Sequence, residues 1–154
     1  MSEASQTILV VEDGDEYMDV LSRFVGGYRY IQTHDGSAAL AVLRSEEIAA
    51  VYLDMRFDRV PHEVLLGDIQ KVSDKFSGDR ERAWKFLEKN QGLYILNHLC
   101  GNGYSHIPMV LSHDFSAQSA RWQHLSNTHK NLSWLSDTVA PLDIKRHFEN
   151  ILAT

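Results

Sequence analysis

Three carboxylates stand at the ends of two apolar runs. Asp54 closes Ala49-Ala50-Val51-Tyr52-Leu53, and the pair Glu12-Asp13 closes Ile8-Leu9-Val10-Val11. Strands of a parallel sheet are buried on both faces and tolerate acids poorly, so both strands are expected to end where the acids begin. In a doubly wound sheet the carboxyl ends of the strands line one edge, and ligands bind there. Carboxylates gathered at that edge repel one another unless a cation sits among them. Oxygen-only ligation suits Mg²⁺, a hard ion held by one or two carboxylates together with phosphate. The chemistry these residues point to is metal-assisted phosphoryl transfer.

Other constellations carry less. The chain has eight histidines, among them His106, His113, His124 and His129, but their spacing fits no zinc pattern and there are no cysteine partners. Gly101-Asn102-Gly103 reads as a turn, because no P-loop lysine follows it. Asp54-Met55-Arg56 lacks the second aspartate of the haloacid-dehalogenase phosphatase signature, and sequence order suggests no Ser-His-Asp arrangement. The net charge of -6 argues against a nucleic-acid surface. With 154 residues, 44% hydrophobic and 23% charged, the chain fits one domain, residues 1–154, with one core. The single cysteine, Cys100, rules out an internal disulfide and reads as a small buried hydrophobe. Met1-Ser2-Glu3-Ala4-Ser5-Gln6 has no basic n-region and no apolar run approaches transmembrane length, so a cytoplasmic protein is expected.

The elements that must position the acids alternate in type. Strand signals fall at residues 8–11, 28–33, 51–53, 107–111 and 131–136. Helix signals follow at 15–25, with Tyr17, Val20, Leu21, Phe24 and Val25 at helical spacing, then at 37–43 after an Asp35-Gly36 turn, and at 91–99. A last helix spans 142–152, with Ile144, Phe148, Ile151 and Leu152 on one face. Alternating β and α segments argue for a parallel sheet with helices on both faces. The interval between Asp54 and Ile107 is far longer than one crossover helix needs. Its middle, residues 59–89, carries charges of both signs, yet Val64, Leu65, Leu66, Ile69, Val72 and Phe76, then Trp84, Phe86 and Leu87, keep an apolar rhythm. A helical insertion is expected there, ahead of the regular crossover helix.

Taken in order, these segments resemble the receiver domain of bacterial response regulators. Ile8-Leu9-Val10-Val11-Glu12-Asp13 resembles the first strand and its acidic pair, and Tyr52-Leu53-Asp54-Met55-Arg56 the phospho-acceptor strand. The stretch from Tyr28 to Gly36 with Ala39-Leu40 resembles the second strand and helix. Gln91-Gly92-Leu93-Tyr94-Ile95-Leu96 resembles the start of the third helix, and Ile107-Pro108-Met109-Val110-Leu111-Ser112 the fourth strand. The resemblance implies a CheY-like, flavodoxin-like α/β fold, a doubly wound five-stranded parallel sheet of order 2-1-3-4-5, with the insertion between strand 3 and helix 3.

The resemblance further implies roles. Asp54 would be the phospho-acceptor. Asp13 and Asp54 would ligate Mg²⁺ directly, Glu12 through water, and Arg56 through its backbone carbonyl. Ser112 would be the switch hydroxyl, although counting from Pro108 without a gap places His113 there. Trp134 falls at the aromatic switch position. Anchoring on the final helix puts Asp137 where the family carries a lysine that pairs with the phosphorylated acid, and Phe57-Asp58 replaces the usual Met-Pro. Like charges about 4 Å apart cost roughly 4 kcal/mol at an effective dielectric near 20, so Asp137 would oppose phosphorylation. The expectation is a stand-alone atypical response-regulator receiver in two-component signalling, with a histidine kinase or a downstream signalling protein as partner. Its only chemistry would be phosphoryl transfer to its own Asp54. The alternative is a pseudo-receiver, a protein-binding module independent of phosphorylation.

Overall fold

Five apolar runs pair into one parallel sheet in the order β2-β1-β3-β4-β5. In the computed structural model, which describes residues 5–153, the strands are β1 (Gln6–Val11), β2 (Tyr28–Thr33), β3 (Ala50–Asp54), β4 (Met109–Ser112) and β5 (Leu132–Leu135). The opening residues Met1 to Ala4, read above for an export signal, lie outside the described residues. The three central strands are continuous apolar runs because both their faces are covered, whereas the edge strands β2 and β5 are only half-buried. The expected sheet and strand order are therefore those of the structure.

Alternation along the strands sends side chains to two separate cores. On one face Ile8, Val10, Ala50, Tyr52 and Val110 pack against Leu21 and Val25 of the α1 segment (α1, Glu16–Phe24) and against Ile144 and Phe148 of α7 (Pro141–Ile151). On the other, Leu9, Val11, Val51, Leu53, Met109 and Leu111 meet Ala39, Leu40 and Leu43 of α2 (Gly36–Ser45) and Ile95, Leu96 and Leu99 of α5 (Gln91–Leu99). The same face takes Trp122 and Leu125 of α6 (Ser119–Thr128). No separate signal for α6 is legible in the sequence. None of its residues is fully buried, so it lacks the apolar stripe that reveals a helix. No helix among the described residues is long and apolar enough to cross a membrane.

The insertion is helical, as its apolar rhythm predicted. A single 3₁₀ turn (His62–Val64) leads to α3 (Ile69–Lys75) and α4 (Arg80–Lys89), capped by Asp68 and Asp79. Val72, Ala83 and Leu87 form a small core of their own, joined to the main core by Leu65, which packs against both. Gln91, almost fully buried, pins this junction: its amide oxygen accepts from the Leu66 N–H (2.8 Å), and its amide nitrogen donates to the carbonyls of Leu66 and Leu87. Gly92 brings α5 hard against the end of β3. Its N–H donates to the Met55 carbonyl (2.9 Å), and a Cβ there would strike the Asp54 carbonyl oxygen and lie 2.8 Å from the Met55 Cα.

Candidate functional site

Parallel pairing of Val11 with Leu53 carries the acids that follow each strand to the same edge. They do not all turn towards one another. Glu12 is 1% exposed and points at the start of α1, where its two carboxylate oxygens accept from the N–H groups of Tyr17 (3.0 Å) and Met18 (2.8 Å). A helix N-terminus has unpaired N–H groups and a positive dipole end, so an acid is well placed there. Asp15, the residue in the N-cap position, makes no side-chain cap, and Glu12 does that work from three residues upstream. Burial raises the Glu12 carboxyl above its usual range, against the lowering effect of these bonds. The Gln32 amide ties the turn together by donating to Glu12, to the Gly14 carbonyl and to Asp15.

Asp13 turns the other way, into the start of the insertion. Its Oδ2 accepts from the main-chain N–H groups of Asp58 (3.0 Å) and Arg59 (3.1 Å), and its side chain is 3% exposed. The Arg59 guanidinium lies over it, with Nη2 3.2 Å from Oδ1, and reaches on to Glu16 with a two-pronged contact of 2.7 and 2.9 Å. Such charge-assisted forks are the strong members of their class. They hold the Glu16 carboxyl down at about 2 and push the Arg59 guanidinium further up.

Asp54 has no such partner among the described residues. Its Oδ1 accepts from the Met55 N–H at 2.8 Å. Burial, reinforced by the negative charges of Asp13 and Glu12, pushes its carboxyl up to about 7. Beside it, two phenols meet edge to face, the half-buried Tyr17 on the buried Tyr52 at 5.3 Å. Burial raises both, Tyr52 to about 12, and the charges of Asp54 and Asp137 act on both in the same direction. Asp137, in the loop after β5, therefore contributes negative charge to this edge.

Asp54 pairs in register with Ser112, at the end of β4. The Ser112 hydroxyl is already engaged, donating to the Tyr17 hydroxyl at 2.8 Å. His113 turns to the opposite face of the sheet, where its ring meets Phe115 at 4.6 Å, and Phe115 meets Trp134 at 5.8 Å. The two candidates for the switch position thus fall on different faces: Ser112 beside Asp54, His113 in one aromatic row with Trp134. Trp134 packs partly buried against the α5–α6 core.

The arrangement departs from the metal-ligand set expected of Glu12, Asp13, Asp54 and the Arg56 carbonyl. Among the described residues, no three His, Cys, Asp or Glu side chains are grouped to hold a metal ion. Glu12 has turned inward to cap α1, and both oxygens of Asp13 are taken by the Asp58–Arg59 segment. As folded, these residues do not fit a divalent ion. Sequence reasoning missed Tyr17, Gln32 and Gly14 as members of the site, and it offered Arg59 only as a cation for Asp54, whereas the structure gives it to Asp13 and Glu16. Tyr17 was visible only as one more apolar position on α1. Two cavities open at the far, amino-terminal ends of the strands, one lined by Cys100, Met109 and Leu132, the other by Thr7, Ala49 and Pro108. Beside the acceptor loop lies a cleft of about 340 Å³ lined by Arg56, Asp58, Lys85, Glu88 and Lys89.

No protein-family model matches the sequence, and no curated protein sequence matches it. Solved structures do resemble its fold. The chain is similar to the receiver domain of the Francisella response regulator 1452, with 11% identity and a TM-score of 0.62 over 96% of each chain. It is similar to the Vibrio cholerae chemotaxis protein CheY4, with 14% identity and a TM-score of 0.65 over 97% of this chain and 100% of that one. A signal receiver domain of a putative LuxO repressor protein from Vibrio parahaemolyticus aligns with a TM-score of 0.64 at 10% identity, over 97% of this chain and 91% of that one. The fold is that of response-regulator receiver domains, as the sequence resemblance implied.

Proposed function

We propose that this chain is a signalling module of the two-component type that acts by presenting a surface to another protein, a histidine kinase or a downstream signalling protein, without depending on phosphorylation of Asp54. The supporting observation is the charge around Asp54. It stands beside Asp13 and Glu12, Asp137 adds negative charge at the neighbouring Tyr17 and Tyr52, and Arg59 is committed to Asp13 and Glu16. A phosphoryl group would add about one to two further negative charges at this edge. The insertion gives the surface its individual character. His62 stacks on Trp84 at 4.4 Å and pairs with Glu88 at 3.4 Å, and Arg56, Lys85 and Lys89 line the cleft alongside. A ring of mixed charges around an aromatic pair suits a specific, partly polar protein contact.

The reading assigns no turnover of an external substrate. Its test is incubation with acetyl phosphate and Mg²⁺ followed by intact-mass measurement, with Asp54→Asn as the control. Transfer would make an acyl phosphate on the Asp54 carboxylate and release acetate. Wild-type protein is expected to stay unmodified, and Asp137→Lys combined with Arg59→Gln, which takes the guanidinium off Asp13, to gain a phosphoryl group. Stoichiometric, Asp54-dependent modification of the wild type overturns the reading.

A further inference from the structure

The acid that follows β1 already has a cation, and the chain itself supplies it. Asp13 offers two oxygens. Oδ2 receives two main-chain N–H groups and, at 3.4 Å, the Arg59 Nε, while Oδ1 receives Nη2 at 3.2 Å. A hard divalent ion needs a carboxylate oxygen at roughly 2.0–2.6 Å. Here both oxygens already face donors. The guanidinium is itself clamped from the far side by both oxygens of Glu16.

The seat for this guanidinium is built into the backbone. Gly14 lies between Asp13 and Glu16, and a Cβ at that position would collide with the Arg59 guanidinium and the Glu16 carboxylate. The main chain that carries Arg59 is also anchored. Phe57, two residues earlier, is fully buried, and its N–H donates to the Glu88 carbonyl in α4 at 2.8 Å. A cation tethered so close competes as an intramolecular ligand at high effective concentration, which a free ion does not match at equal intrinsic strength.

The geometry points to Arg59 as the resident cation of this edge, a guanidinium latch that neutralises Asp13 and, while closed, keeps Asp13 and Asp54 from binding a divalent ion together. Opening the latch would free the main chain at 58–59, which is held to the end of α4 through Phe57, so the state of the edge is coupled to the insertion. The latch does not depend on whether Asp54 accepts a phosphoryl group. A wild type modified by acetyl phosphate overturns the functional reading and leaves the latch to be judged by metal binding alone.

The test is Mn²⁺ titration of the full chain, with the free ion followed by electron paramagnetic resonance, for wild type, Arg59→Gln and Gly14→Ala. Gly14→Ala keeps every charge and displaces only the far ends of two flexible side chains. Its circular-dichroism spectrum is expected to match the wild type. Both variants are expected to bind Mn²⁺ at least about tenfold more tightly than wild type, because the tethered guanidinium no longer competes for Asp13. Adding Asp13→Asn to either variant should abolish the gain. Wild type that binds as tightly as the variants overturns the latch, as does a gain that survives Asp13→Asn. If one variant is misfolded by its spectrum, the other decides, and an affinity equal to wild type in a folded variant refutes the proposal.

Discussion

Two neighbouring strand ends carry the same kind of side chain and meet opposite fates. After β1, Asp13 is buried and stays paired: two main-chain N–H groups and the Arg59 guanidinium surround it. At the end of β3, Asp54 is half-buried, accepts from the Met55 N–H and has no ion-pair partner among the described residues, so burial and the charges of Asp13 and Glu12 raise its carboxyl to about 7. The difference does not lie in the residue type or in the strand position. It lies in the segment that arrives afterwards, because the insertion bends back to deliver Asp58 and Arg59 to β1 and nothing equivalent to Asp54. A buried acid can be accommodated by donors and a cation or by a proton, and this edge uses both solutions side by side.

The largest effect is expected from removing the unpaired charge. A carboxyl raised in the folded state binds a proton that the unfolded chain does not hold, so stability is highest at low pH and falls as pH rises from the ordinary value towards the folded one. For Asp54 the rise from 3.8 to about 7 corresponds to a penalty on the order of 4 kcal/mol above pH 7. Asp54→Asn should therefore raise the denaturant midpoint near pH 8, and the gain should shrink to nothing near pH 4. A gain that is the same at both pH values would mean that Asp54 carries no raised proton affinity.

Gly92→Ala strikes the same strand end without touching a charge. The added Cβ meets backbone atoms of Asp54 and Met55, which have little room to move. Overpacking of this kind is expected to cost on the order of 3 kcal/mol, read as a lower urea midpoint. An unchanged midpoint would show that α5 can slide away from β3. The smallest effect is expected at the paired end. Glu16→Gln removes one side of an exposed clamp, and exposed ion pairs contribute little and are screened by salt. A slight loss of stability at pH 7, erased in 1 M salt and fading as pH falls towards about 2, would fit the contrast. A loss as large as that of Gly92→Ala would mean that the clamp supports the fold as well as the edge.

Much of this was legible in the residues. The apolar runs at Ile8-Leu9-Val10-Val11 and Ala50-Val51-Tyr52-Leu53, the spacing of Ile144 and Phe148, and the alternation of segment types pointed to a parallel doubly wound sheet, because burial on both faces accommodates such runs. That rule also placed Glu12, Asp13 and Asp54 along one edge. The helix α6 stayed hidden because its residues are at most half-buried and leave no periodic stripe. Which way each acid points could not be read either. Glu12 turns to α1 because that helix begins there with N–H groups to satisfy. Asp13 turns to Arg59 because residues from 46 positions further along the chain return to it. Asp54 is left with a raised carboxyl because it is half-buried and no cation among the described residues pairs with it. Sequence periodicity reports how each segment buries its apolar side, and so it determined the sheet and the edge. The partners of a buried charge are set by contacts between segments remote in sequence, and only the tertiary structure decided those.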